Sequence, residues 1–431
     1  MSLDRVNETK KQGGVSSLAR HIHGWSWQSF PIGMGTGAVF VTLSGLKEHP
    51  SWLYLGGNRV LVSGHGDFPV QRHYTVGPSI PTLIELGVSC RDPVEGLYPP
   101  MMVLQFATIT IGVIDYTVIN GPASPNVVYA LFWAYVGLSL ATCVPMLMIW
   151  FNRPHDISRF TPGYAFLVFP LMLTGVVAFN ALRVIDPLDP RAFGILITGY
   201  FFQGLGFFMT FFYLGVYLLR LVMTGFMEGP QATGAFVACG PPGFTALSLI
   251  NLADHASAIL PAHGIISNAA GEIWYATSVM AALLLYGLAV FFFFLGVIPY
   301  WFKVNKRLDE ILPCWALTFP NVGWIVTTGL LGQILNIQGL FIVHVVMDTL
   351  MFLTWSVLIV LTFAAIWKGL IFNAKDEDVL KISFLLWTRK LLLITTRILA
   401  LWFELHCFLR YILDGFSRNA CIYHALTHIH T

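Results

Sequence analysis

The sequence predicts an all-α integral membrane protein, and three observations carry that expectation. Charged residues make up 11% of the 431 and hydrophobic ones 56%, with a mean hydropathy of +0.70, whereas an ordinary soluble domain is roughly 25% charged. Apolar runs long enough to cross a bilayer recur between short polar breaks, and a crossing takes about 20 such residues. Proline and glycine alternate between runs instead of spreading evenly. A net charge of +2, scattered along the chain, argues against nucleic acid as a partner. The six cysteines lack metal-ligand spacing, so they read as small hydrophobes, and no cofactor or metal is expected.

Taken in order, residues 1–24 lack the apolar core and cleavage site of a secretory signal and read as a mildly basic cytoplasmic tail. Nine crossings follow, near 25–46, 99–120, 126–151, 160–184, 193–221, 235–252, 273–301, 313–331 and 341–372. The transmembrane domain thus runs over 25–375, and 376–431 forms a C-terminal tail. Within that tail the apolar stretch 391–411 carries Arg397, Glu404, His406 and Arg410, which favours a surface-lying helix over a tenth span. Arg153 with Arg159, Arg220, Lys303 with Lys306 and Arg307, and Lys368 with Lys375 flank alternate loops and place them in the cytoplasm, along with both termini.

That orientation leaves a crossing missing between 47 and 98. Lys10, Lys11 and Arg20 hold the N-terminus inside, yet the span from Pro99 must also begin inside, and no window of 47–98 has the apolar length of a helix. The segment is an atypical insert where a second helix would be. A re-entrant loop over 79–88 is the competing reading.

The proline and glycine pattern points to the helices that line a pathway. Pro31 with Gly33, Gly35 and Gly37; Pro162, Pro170 and Gly175; Gly240, Pro241, Pro242 and Gly243; and Pro320, Gly323 and Gly329 fall in alternate spans. Among the intervening spans only Pro145 lies well inside. Opened backbone at membrane depth needs protein cover or an aqueous cavity beside it, so hairpins of a kinked inner helix and a straight outer one around a pore are expected. The Gly33-x-Gly35-x-Gly37 run follows no strand and opens no βαβ unit, which removes a dinucleotide reading and leaves close helix packing. Asp115, His344 and Asp348 are the ionisable groups inside spans. His344 and Asp348, four apart on one helical face, are candidates for proton coupling, against a structural hydrogen bond or an outer surface position. Without a mid-span Lys or Arg on the pore, an anion would rest on helix-end dipoles, backbone amides and the hydroxyls of Thr36, Thr108, Thr245 and Thr318.

Residues 30–46 (FPIGMGTGAVFVTLSGL), 202–226 leading into 234–250 (GAFVACGPPGFTALSLI), 315–332 (WALTFPNVGWIVTTGLLG) and 367–372 (WKGLIF) together resemble the tellurite-resistance/dicarboxylate transporter family, of the voltage-dependent anion channel superfamily. The resemblance covers roughly 25–46 and 99–375. That family includes fungal malic acid permeases, fungal sulfite efflux pumps and the slow anion channels of plant guard cells. The resemblance implies about ten transmembrane helices in five hairpins around a central pore, a homotrimer in the plasma membrane, and a small anion as substrate. It departs from the family at the second helix, the place where orientation leaves a crossing missing. A retained intron or shifted reading frame would produce mixed sequence of that kind.

The resemblance also implies that a phenylalanine plugs the pore, at a position matched here by Phe319 of Thr318-Phe319-Pro320. An aromatic ring at an apolar neck gates by excluding water, and Pro320 and Gly323 loosen the backbone around it. Malate or another C4-dicarboxylate is the expected substrate, sulfite efflux the alternative, and a non-transporting isoform a third reading. An intramembrane enzyme is disfavoured because Asp115, His344 and Asp348 are too few and too separated to form a catalytic site.

Overall fold

The computed structural model describes residues 29–44, 95–120, 124–152, 154–303 and 308–372. The tail 1–24, residues 47–94 of the insert, and the tail 376–431 with its proposed helix lie outside the described residues. Nine α-helices span the described parts: α1 Phe30–Ser44, α2 Met101–Asn120, α3 Pro125–Phe151, α4 Phe169–Leu182, α5 Pro190–Thr224, α6 Gly240–Ala262, α7 Ala270–Lys303, α8 Phe319–Ile334 and α9 Gln338–Trp367. All lie within the unit Trp25–Ile371.

Two classes of helix follow from composition. The apolar windows of α3, α5, α7 and α9 are only 33%, 28%, 22% and 22% buried, while those of 232–262 and 312–334 are 89% and 72% buried. Every residue of α4 is buried. The first set therefore offers bulky apolar faces to lipid, and the second sits inside protein.

The inner helices close into a ring. Packing runs α1 to α2, α2 to α4, α4 to α6, α6 to α8 and α8 back to α1. Each outer helix packs on the inner helix before it in sequence and on the next around the ring: α3 on α2 and α4, α5 on α4 and α6, α7 on α6 and α8, and α9 on α8 and α1. By that rule the groove between α1 and α2 awaits an outer helix from the connection joining them, and among the described residues none covers it.

The inner spans differ from single kinked helices. 3-10 turns at Pro162–Leu167, Gly229–Cys239 and Leu312–Leu317 precede α4, α6 and α8, each of which restarts with proline in its first turn. Pro31 and the Pro99-Pro100 pair stand at the corresponding starts of α1 and α2. Proline has no N–H to contribute and its φ suits the first helical turn, so a span read as kinked becomes a short segment followed by a new helix. Thr318, at φ −96° and ψ −88°, and Val168, at φ −124° and ψ −5°, take the non-helical backbone at two of these restarts. Asn321 bridges one of them by donating from Nδ2 to the Leu317 carbonyl at 2.9 Å.

Small residues and single polar bonds join the layers. Tyr135 of α3 donates to the Pro170 carbonyl at 2.7 Å, Gln203 of α5 to the Thr245 hydroxyl at 2.9 Å, and Trp355 of α9 to the Thr36 hydroxyl at 3.1 Å. In the loop before α5, Asp189 caps the helix, accepting from the backbone N–H and side chain of Arg191. The bond from the Arg191 side chain is the main reason that carboxyl is held down to about 2.

Gly206 and Gly204 of α5 test the layer contact. A Cβ at Gly206 would strike the α4 backbone at Met172, whereas one at Gly204 meets open space. Gly206→Ala is expected to cost about 2 kcal/mol, and Gly204→Ala to be neutral or stabilising by about 0.5 kcal/mol, as read from thermal stability in detergent.

Candidate functional site

Within the inner ring lies a cavity of about 430 Å³. Its wall rises along one face of each helix at the period of 3.6: Thr108, Ile111 and Asp115 on α2; Leu173, Val176, Asn180 and, capping α4, Arg183; Phe244, Leu247 and Asn251 on α6; Phe319, Val322, Val326, Gly329 and Gln333 on α8. Ala38 and Thr42 supply the α1 face, and His344 of α9 reaches in behind Gly329. The lower wall is apolar apart from Thr108. The upper rim, near the C-terminal ends of α4 and α8 and the middle of α6, holds Asp115, Arg183, Asn180, Asn251 and Gln333.

At the lower end Phe319 and Phe244 meet with ring centroids 4.9 Å apart, and Phe319 is only 2% exposed. Glycine sets that contact. A Cβ on Gly323 would stand 2.5 Å from the Phe244 backbone nitrogen, and one on Gly243 2.7 Å from that of Trp324, so only a Gly–Gly approach brings the first turns of α6 and α8 this close. Gly240 lies against Phe169 and Pro320 in the same layer.

The rim carries a charge pair. Arg183, at the C-terminal cap of α4, donates from Nη1 to Asp115 Oδ1 at 2.5 Å and to Asn180 Oδ1 at 3.2 Å. Cation placement there suits the final carbonyls of a helix.

A second polar pair stands between α8 and α9. His344 Nδ1 lies 2.9 Å from the Ile325 carbonyl, which can only accept, so Nδ1 carries hydrogen. Its Nε2 is 3.2 Å from Asp348 Oδ2. The angle falls short of a good hydrogen bond, and neither Asp348 oxygen has a donor at full geometry among the described residues. Asp348 is 1% exposed, and burial of that depth makes an isolated charge costly, which leaves His344 as the side chain that can balance it. Asp348 is inward from lipid, and only His344 reaches the cavity.

Of the residues singled out from sequence, Phe319, Thr108, Asp115, Gly329 and His344 line the cavity. Gly33 faces Gln105, Gly35 faces Thr318 and Trp315, Gly37 faces Thr108 and Gly175 faces Gln203, so these serve helix contacts. Thr36, Thr108, Thr245 and Thr318 each donate their hydroxyl hydrogen to a backbone carbonyl three or four residues back. The Pro170 carbonyl accepts from Tyr135 and Thr174. Among the cavity residues that sequence reasoning missed, two stand at its ends. Phe244 is signalled only by its place after Gly240-Pro241-Pro242-Gly243, and Arg183 by being a lone arginine at the end of a span. Among the described residues no three His, Cys, Asp or Glu side chains gather as a metal site.

A ring of five inner helices, sheathed by apolar outer ones and enclosing a cavity with a polar rim and an aromatic floor, defines an all-α membrane transport protein. Residues 24–363 match the voltage-dependent anion channel family, and the chain belongs to it. Among its relatives, a putative malic acid transport protein of Schizosaccharomyces pombe is 27% identical over 299 residues, 68% of this chain and 69% of that protein. A malic acid transport protein of the same yeast is 27% identical over 256 residues, 58% of each chain. The sulfite efflux pump SSU1 of Arthroderma otae is 25% identical over 240 residues, 54% of this chain and 61% of the pump.

The His344–Asp348 pair makes a stability prediction. His344→Leu leaves a buried carboxyl without its partner and is expected to cost about 3 kcal/mol, most of it recovered when Asp348→Leu is added. Thermal unfolding of the two single variants and the double variant in detergent measures the cycle; additive losses would contradict the pairing.

Proposed function

We propose that the chain passes a small anion along the axis of its inner ring, with malate or another C4-dicarboxylate as the leading substrate and Phe319 with Phe244 as the gate. The observation that carries this reading is the cavity itself, polar at its rim and closed below by two phenylalanine rings in contact. Two rings across an apolar neck exclude water and hence hydrated ions, and a small rotation of either reopens it. Relatives named for malic acid transport support the dicarboxylate, and the sulfite efflux pump supports sulfite as the alternative. Lys and Arg concentrate in loops at the inner-helix starts, which supports cytoplasmic termini and a rim facing outward. The family resemblance supports a plasma-membrane home and a trimer.

A second reading concerns energy coupling. His344 stands at the cavity wall with Asp348 beside it, and an anion entering next to His344 would favour its protonated form, which supports proton-coupled movement as opposed to a passive channel.

Phe319→Ala is expected to raise anion flux several-fold in proteoliposomes, and Phe244→Ala to do so to a lesser degree. Unchanged conductance of Phe319→Ala at a normal amount of reconstituted protein would defeat the gate assignment.

A further inference from the structure

We infer that Arg183 is the docking group for one carboxylate of the transported anion, and that Asp115 is the resident counter-ion holding it in place; this rests on the transport reading above. Among the described residues, Arg183 is the only permanently cationic side chain lining the cavity. Its Nη1 serves Asp115 and Asn180, while among the described residues its Nε and Nη2 meet no acceptor. The side chain is 40% exposed at the rim. A guanidinium presents its N–H groups in a planar fork, and the Nε–Nη2 edge matches the two oxygens of a carboxylate.

The two partners come from different helices, Arg183 ending α4 and Asp115 from the upper part of α2. Asp115 thus fixes the guanidinium across the mouth without occupying its whole donor set. The other rim groups are the neutral amides Asn180, Asn251 and Gln333, and among the described residues Asp115 is the only lining carboxylate. An entering anion therefore meets one repelling charge, already neutralised, and one open fork. A halide offers a single atom to that fork and gains little from its shape; a carboxylate gains both bonds. Lysine in this position would keep the charge and lose the discrimination. Partial exposure keeps the hold weak, which suits release toward the gate.

The test uses the purified full chain in liposomes, with initial rates of succinate, sulfite and chloride uptake. Arg183→Gln is expected to raise KM for succinate about tenfold with a smaller change in kcat, and Arg183→Lys to lower the preference for succinate over chloride. Asp115→Asn keeps a hydrogen-bond acceptor and removes the competing charge, so KM for succinate should fall. A sulfite KM that rises in Arg183→Gln while the succinate KM stays at the wild-type value would overturn the carboxylate assignment. Wild-type KM and selectivity in both Arg183 variants would overturn the site. Stabilisation of the detergent-solubilised wild type by succinate, lost in Arg183→Gln, reads binding independently of flux; equal stabilisation in both also counts against the site. A wild type that succinate stabilises but that moves none of the three anions would strike at the transport reading instead.

Discussion

The constraint on which the cavity depends is the contact of α6 and α8 at Gly243 and Gly323. With side chains absent from both positions, the first turns of the two helices come near enough for Phe244 and Phe319 to touch. Everything that shapes the cavity is tied to this contact. The proline restarts fix where the helices begin, so both phenylalanines enter at one level. Above that level the ring widens, and the space between the helices becomes the cavity. A methyl group at either glycine would push the helices apart and part the floor.

The outer helices matter in a different way. They cover backbone that the restarts leave open, and three of them make polar bonds to the inner layer, among them Tyr135 to Pro170, Gln203 to Thr245 and Trp355 to Thr36. In hydrocarbon a polar side chain gains from any partner within protein, although each such bond contributes only about 1 kcal/mol. Their distribution around the ring, more than their individual strength, fixes how each outer helix is rotated. The α1–α2 groove is where this sheath is open among the described residues, and the residues that connect those two helices in sequence lie outside them.

Much of this was legible in the chain. Span length and composition give the membrane class, and Pro31, Pro170, Pro241 and Pro320 mark four of the five inner helices, while α2 carries no such residue inside it. Helix starts were less legible, because hydropathy is continuous across 160–184 while backbone conformation is not; proline at the start of a helix and proline inside one look alike until the preceding residues are placed. The four threonines looked like anion ligands, yet a hydroxyl in a helix finds its own carbonyl three or four residues back before it finds a ligand. Arg183 and Asp115 are 68 residues apart, and their pairing depends on the register of α2 against α4. Such a register is set by packing and leaves no short-range pattern. His344 and Asp348 were visible together only because four residues is one helical turn.

The central claim is that one aqueous path runs down the ring and is interrupted at Phe319 and Phe244. Cysteine accessibility tests it most directly. In a background with the six native cysteines replaced by alanine, Val322→Cys and Ile111→Cys should react with a membrane-impermeant anionic thiol reagent from the rim side only, and from the opposite side only after Phe319→Ala is added. Reaction from both sides with Phe319 in place, or from neither side in any variant, would contradict the account.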